Sequence, residues 1–220
     1  MKSVTLIAAT LAAAAMLQTA PPAKAAGAVQ NVPAFQQPSQ LLETVAEQML
    51  TAIESHRAEY RRHPTEVAPI VDKYLLPHFD TPLAAQLVLG RFWRTATPQQ
   101  RARFIKAFHD SLIRNYGAAM AEFHSNMLKV YPTHVTPGTT VATVRTNFTR
   151  SDGSKVHVDF YVHMTPQGWK AFDVVIDGIS YVKSYREDFG PQIEQQGLDA
   201  VIDHLEKGEK PSQIGAAGRG

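Results

Sequence analysis

Apolar residues recur every third or fourth position from Leu42 to Met120, and every second position from Leu128 to Ile176. The first period marks helices with one buried face, the second strands with one buried face. In the helical half, Leu42, Val45, Ala46, Met49 and Ile53 share one side of a first helix, which Ser39 is placed to cap and Pro64 to end. Glu43 and Glu47 near its start and Arg57, Arg61 and Arg62 near its end suit the helix dipole. A second helix opens at Thr65, carries Val67, Ile70, Val71, Tyr74 and Leu75 on one side and stops before Pro77. Asp80 or Thr81 caps a third, with Pro82 in its first turn, Leu83, Leu87 and Val88 on its apolar side and Gly90 at its end. Thr97-Pro98-Gln99-Gln100 has the form of a capping box. It opens the longest helix of the chain, on which Phe104, Phe108, Leu112, Tyr116 and Met120 recur every four residues, with Ile105 and Phe123 alongside. Gly117 on that helix is slim enough to admit a close neighbour.

In the alternating half, Leu128 and Val130 form one short run, and Ala142, Val144, Thr146 and Phe148 share a face of the next. Ser151-Asp152-Gly153-Ser154 turns into a third run, with Val156, Val158, Phe160, Val162 and Met164 on one face and His157, Asp159, Tyr161 and His163 on the other. Thr165-Pro166-Gln167-Gly168 is a turn. The strand after it puts Phe172, Val174 and Ile176 on one face, with Lys170, Ala171, Asp173 and Asp177 elsewhere. Asp177-Gly178 leaves the sheet, and Ile179, Tyr181 and Val182 follow. A helix is predicted from Ser184 to Gln195, interrupted at Gly190-Pro191, and a last one from Gly197 with Leu198, Val201, Ile202 and Leu205 on one side. The predicted fold is α+β: N-terminal helices packed on a twisted, mainly antiparallel sheet of about four strands, with C-terminal helices completing the cover.

The ends of the chain read differently. Met1-Lys2, the apolar run Val4 to Leu17 and the small-x-small site Ala23-Lys24-Ala25 form a signal peptide over residues 1–25. Residues 26–38 read as a flexible leader, 39–207 as a single domain, and 208–220 as a disordered tail. No other stretch nears the ~20 apolar residues of a spanning helix. The expected product is exported and soluble. The absence of cysteine excludes disulfides, thiolate metal sites, cysteine nucleophiles and a lipid anchor on cysteine. A formal charge of +2 falls to about zero once Lys2 and Lys24 leave, and without a basic stripe nucleic acid is not an expected partner.

Candidate chemistry is sparse. His157-x-Asp159 with His163 has the residue types of a metal site, but one strand spaces same-face neighbours about 7 Å apart and ties no further ligand to them. We read the set as a polar outer sheet face. His56, His63, His109, His124 and His204 are scattered at helical positions. There is no Gly-x-Ser-x-Gly, His-Glu-x-x-His or glycine-rich phosphate loop. No catalytic residue, metal or cofactor is assigned, and the chain is not expected to be an enzyme. One enzyme alternative fits the element order: a small cone-shaped domain acting on an apolar substrate, with Asp173 or Asp177 as a base raised in pKa by burial.

Two segments carry a family resemblance, His78 to Met120 and Lys170 to Leu205. Their pieces are Phe79-Asp80, Val88-Leu89-Gly90, Trp93-Arg94, Thr97-Pro98-x-Gln100-Arg101 with Phe104 and Phe108, Asp173-Val174, Gly178-Ile179-Ser180, Tyr185-Arg186, Phe189 and Gly197-Leu198-Asp199-Ala200. In this order they resemble the MlaC, or toluene-tolerance, family of periplasmic phospholipid carriers. Gln86 stands near a place where that family has a basic residue. The resemblance implies a deep apolar cavity for phospholipid acyl chains and a role in maintaining outer-membrane lipid asymmetry. It also implies two docking partners: an outer-membrane lipoprotein–porin complex, and an inner-membrane ABC transporter complex with a lipid-binding ring. The chain itself is expected to be a monomer. Hopanoid-associated members of the family leave the native lipid open.

Placed on the apolar wall and its covering helices, the implied lining is Val71, Leu75, Leu83, Leu87, Phe104, Phe108, Leu112, Val144, Phe148, Phe160, Val162, Phe172, Val174, Ile176 and Ile179. Arg91, Arg94, Lys183 and Arg186 are candidates for headgroup or partner contact. The task has a physical scale. At about 0.8 kcal/mol per CH₂, a sixteen-carbon chain in water costs ~13 kcal/mol, so a soluble carrier must bury most of it.

Overall fold

The computed structural model describes residues 37–209 except 123, 125, 126 and 151. The expected signal peptide, the leader up to residue 36, Phe123 and the tail beyond Glu209 lie outside the described residues. No helix among the described residues is long and apolar enough to cross a membrane.

Helix α1 runs Pro38–Glu54. Ser39 is not its cap. Pro38 fills the first turn, and the buried Ser39 hydroxyl accepts the Thr133 N–H at 3.2 Å. Gln37 accepts the Val135 N–H at 2.9 Å and donates to the Val135 carbonyl. These bonds serve loop groups that no strand pairs. The first helix also ends well before Pro64, and a separate α2 covers Arg57–Arg62. Arg57 turns inward there and pairs with Glu54.

Residues 64–78, expected as one helix stopping before Pro77, change pitch three times. A 3₁₀ turn Pro64–Val67 leads to α3, Ala68–Ile70, then to a π turn Val71–Leu75 and a 3₁₀ turn Leu76–His78. Pro64, Pro69 and Pro77 each lack the N–H that an even ladder requires. The apolar side survives the irregularity, with Val67, Ile70 and Val71 buried. Helix α4 is Thr81–Leu89, with Asp80 as its cap accepting the Leu83 N–H at 2.9 Å. After α5, Phe92–Thr95, comes α6, Pro98–Glu122. The capping box forms: Thr97 N–H donates to Gln100 Oε1 at 2.9 Å, and Gln100 N–H to Thr97 Oγ at 3.1 Å. A Cβ at Gly117 would collide with the Pro64 carbonyl, so this glycine lets residues 64–67 lie directly on α6.

The sheet has five strands rather than about four, antiparallel throughout in the order β1-β2-β3-β4-β5. They are β1 Leu128–Val130, β2 Val141–Thr149, β3 Lys155–Thr165, β4 Gly168–Ile176 and the two-residue β5 Ile179–Ser180. Asp177 and Gly178 both have positive φ, 47° and 84°, which makes them the tight turn of a further hairpin. Helix α7, Tyr181–Gln196, starts three residues before the predicted Ser184, because Ser180 is the cap and accepts the Lys183 N–H at 3.0 Å. It also passes through Gly190-Pro191 without a break, with Pro191 on its exposed side. Helix α8 is Leu198–Glu206.

The buried apolar side chains fall into three clusters. The first joins α4, α6, α7 and α8 around Leu89, Phe104, Phe108, Tyr185, Phe189 and Ile202. Phe104 stacks on Phe108 at 5.6 Å, and Tyr185 meets Phe108 edge-on at 4.8 Å. The second gathers Ile53, Val67, Ile70, Val71 and Ile113. The third lies on the sheet, where Val144, Val162, Trp169 and Ala171 are covered by Leu41, Leu42 and Phe79.

Candidate functional site

Cross-strand register fixes which side chains share the inner face of the sheet. Val144 pairs with Phe160, Phe160 with Val174, Val158 with Ile176, Val162 with Ala171, and Met164 with Trp169. A bulge opposite Tyr161 and Val162 leaves Phe172 without a partner. One extra residue reverses the alternation along β4. Val174 and Ile176 therefore stay on the wall, Trp169 and Ala171 join it, and Phe172 leaves it. The Phe172 ring lies 5.6 Å from the His163 ring and 6.4 Å from that of Tyr161, both on the opposite face.

The wall is unevenly covered. Val144 and Val162 are dry beneath α1 and Phe79. On the same face Phe148, Phe160, Val174 and Ile176 are only half-buried, and Ile179, paired with Ile176, is 47% exposed. Leu112 flanks the first cluster and Met120 the second, with Tyr116 one turn from each on α6. Phe160 flanks the sheet cluster from this half-covered region.

The other expected lining residues divide in the same way. Phe104, Phe108 and Val71 are buried members of the first two clusters. Leu75, Leu83, Leu87 and Leu112 are half-buried on helices. The basic candidates do not converge. Arg91 pairs with Glu194 and lies 4.9 Å over the Phe92 ring. Arg186 donates from Nε to the Leu87 carbonyl at 2.6 Å, closing the end of α4. It passes beside Gly90, whose φ of 53° favours glycine and where a Cβ would stand 3.6 Å from the Arg186 chain. Lys183 is 3.7 Å from Glu187, and Arg94 stands exposed on α5.

Three arrangements around the wall have no periodic signature. Asp80 caps α4 with Oδ1, places Oδ2 2.9 Å from His163 Nε2, and donates its own N–H to the Ala171 carbonyl at 2.7 Å. It pins α4 to β3 and β4 at once. Asp173 accepts the Ser180 hydroxyl at 2.6 Å, the Val182 N–H at 3.0 Å and its own Val174 N–H at 2.8 Å. It binds the start of α7 to β4. Tyr116, Tyr181 and Tyr185 gather their phenols between α6 and α7, with Tyr185 donating to Tyr116 at 3.5 Å. Burial pushes all three phenols up, Tyr185 to about 12.

These contacts bear on the enzyme alternative. Asp173 is engaged by three donors as a helix anchor, and Asp177 is an exposed turn residue that accepts the His157 N–H at 2.9 Å. Neither is a carboxyl poised in an apolar pocket. Among the described residues no three histidine or carboxylate groups converge as metal ligands. His163 faces Asp80, while His157 lies beside Asp177. On the outer sheet face, Tyr131, Thr143, Arg145, Asn147, His157 and Asp159 line a hollow of about 720 Å³. Arg145, His157 and Asp159 put charged or titratable side chains on its walls, which do not suit an acyl chain.

Comparison with known proteins sets this geometry in context. The profile of the MlaC protein family matches residues 43–207. A toluene tolerance protein of Pseudomonas putida is 25% identical over 173 residues, which cover 77% of this chain and 80% of that protein. The intermembrane phospholipid transport system binding protein MlaC of Haemophilus influenzae is 20% identical over 173 residues, covering 77% and 81%. The solved structure of a phospholipid-binding protein from Ralstonia solanacearum, in complex with a phospholipid, superposes with a TM-score of 0.70 at 25% identity. That match covers 78% of this chain and 96% of the Ralstonia chain.

Proposed function

The chain belongs to the MlaC family, and from that premise we propose that it is a periplasmic phospholipid carrier and not an enzyme. The observation that carries the reading is the half-covered inner face of the sheet: Phe148, Phe160, Val174 and Ile176 are only half-buried on the face where Val144 and Val162 are dry. Acyl chains would occupy the space between this wall and α6 and α7, where burial recovers about 0.8 kcal/mol per CH₂. Ile179, exposed beside Ile176, stands at the entrance. The phospholipid in the Ralstonia relative supports the choice of cargo.

A shuttle must also release its cargo. Arg91, Arg186 and Lys183 are each engaged by the chain itself, so these candidates do not form a preassembled clamp for a phosphate. Arg94 and Lys183 remain the headgroup or partner contacts we favour. In keeping with the family, the carrier would exchange lipid between an outer-membrane lipoprotein–porin complex and an inner-membrane ABC transporter complex, which maintains outer-membrane lipid asymmetry.

Native mass spectrometry of the purified chain tests the reading. A mass increment of one or more diacyl phospholipids, lost in organic solvent, is expected. Purification without lipid, and failure to acquire it from phospholipid vesicles, overturns the carrier reading. A hopanoid increment in its place redirects the cargo.

A further inference from the structure

We propose that Tyr116, Tyr181 and Tyr185 form a hydrogen-bond donor site for an ester carbonyl of the bound lipid, and that this site makes the carrier selective for diacyl-ester glycerolipids. The inference rests on the phospholipid reading above and names the part of the lipid that the chain recognises.

The argument starts from a count of protons. Each phenol has one O–H to donate and an oxygen that accepts. The three rings form one cluster: Tyr116 meets Tyr181 edge-on at 5.6 Å, Tyr181 meets Tyr185 at 6.3 Å, and Tyr185 donates to Tyr116 at 3.5 Å. Tyr116 and Tyr181 share a second side-chain hydrogen bond. Three donors serve two links, so one O–H is left over. Hydroxyl hydrogens rotate, so the bonds can run with the spare proton on Tyr116 or Tyr181. These are the two half-buried members, whereas Tyr185 is 1% exposed. A lipid seated over them would exclude water, and an O–H left without an acceptor is then costly, so the cluster suits a lipid that brings an acceptor of its own.

Position and charge narrow that acceptor. Tyr181 follows Ser180 of β5, next to the Ile176–Ile179 pair at the end of the apolar wall. Tyr116 lies one turn from Leu112 and one from Met120. The spare donor is thus neighbour to the surfaces assigned to acyl chains. Burial keeps these phenols protonated, so they donate and do not compete as anions. Among the described residues no lysine or arginine acts on the three phenols, which disfavours a phosphate there. A neutral carbonyl where an acyl chain meets glycerol satisfies both conditions: an acceptor, placed at the end of an apolar chain.

The probe is an equimolar mixture of dipalmitoyl phosphatidylethanolamine and its dihexadecyl ether analogue, which keeps headgroup and chain length but lacks the carbonyls. The delipidated full chain is equilibrated with the mixture, repurified, and its lipid extracted and weighed by mass. Wild type is expected to retain the ester lipid in roughly three- to tenfold preference, the worth of one neutral hydrogen bond. Tyr116→Phe and Tyr181→Phe keep the rings and their packing, and together should bring the ratio to about one by lowering the ester lipid retained to the level of the ether. Equal retention of the two lipids by wild type overturns this inference and leaves the carrier reading intact. A preference that survives the double substitution overturns it as well. Retention of neither lipid overturns the carrier reading and this inference with it.

Discussion

The Ser180 hydroxyl donates to Asp173 Oδ2 at 2.6 Å, while the same hydroxyl accepts the Lys183 N–H at the start of α7. Oδ1 of Asp173 takes the Val182 N–H. One buried carboxylate and one serine thus satisfy two of the open N–H groups of a helix and fix it to β4. Ser180→Ala should cost about 1 kcal/mol, the worth of a cap. Asp173→Ala, which strands a partly buried N–H as well, should cost about 2–3 kcal/mol. The two residues share a bond, so the double variant should cost less than the sum. Urea denaturation of the four proteins checks this, and strict additivity would show that the pair does not act together.

The split of the expected lining residues into dry and half-buried sets predicts unequal substitutions. Phe108 is packed among Phe104, Tyr185 and Phe189, so Phe108→Ala should destabilise the fold by about 3–5 kcal/mol. Phe160 is half-buried on the wall. Phe160→Ala should cost under about 2 kcal/mol and lower the lipid that co-purifies. A Phe160 variant as unstable as the Phe108 variant, with lipid unchanged, would mean that the wall is packed solid.

Where the chain's period ran undisturbed, the fold could be read from it. The α6 face, the Thr97–Gln100 box and the inward set of β3 all follow from residue spacing. Single residues that change the count were harder to see. Phe172 reads as the third member of an apolar row with Val174 and Ile176, and only the bulge reveals that Trp169 and Ala171 hold the wall in its place. Asp177-Gly178 is a hairpin turn signal, but β5 is two residues long and carries no alternation of its own. Ser184, in the charged run Lys183 to Asp188, reads as the helix start, yet it donates its hydroxyl to the Ser180 carbonyl from inside the helix. The site was legible as a wall, since alternation reports a face. Whether a face is dry or open depends on what lies opposite, and no local pattern in the sequence encodes that.

The phenol cluster should make the fold sensitive to alkali. Burial pushes Tyr185 up from 10.0 to about 12, and Tyr116 and Tyr181 are pushed up as well. The folded chain therefore keeps protons that the unfolded chain gives up near pH 10. Stability is full below that pH and falls as pH rises from about 10 through 12. Denaturation midpoints measured across this range, beside tyrosinate absorbance, give the slope. Tyr116→Phe should make it shallower, and an unchanged slope would assign the alkaline loss to other groups.

Ile179 provides the sharpest test of the open wall. It is 47% exposed, yet it pairs with Ile176 on the inner face, next to Val158. Ile179→Glu places a carboxylate where water can already reach, so its effect on folding should stay within about 0.5 kcal/mol. With a lipid present the same carboxylate meets an acyl chain, at a cost of several kcal/mol if it remains charged and dry. The expected outcome is a folded chain that carries little lipid. Val144→Glu is the contrast: Val144 is fully buried beneath Leu41 and Leu42, and the charge there should unfold the domain. Circular dichroism melting, read beside extracted lipid per mole of protein, separates the cases. An Ile179→Glu chain that melts like wild type and keeps its full lipid would remove Ile179 from the entrance. One that fails to fold would show that the wall is closed by protein at this point.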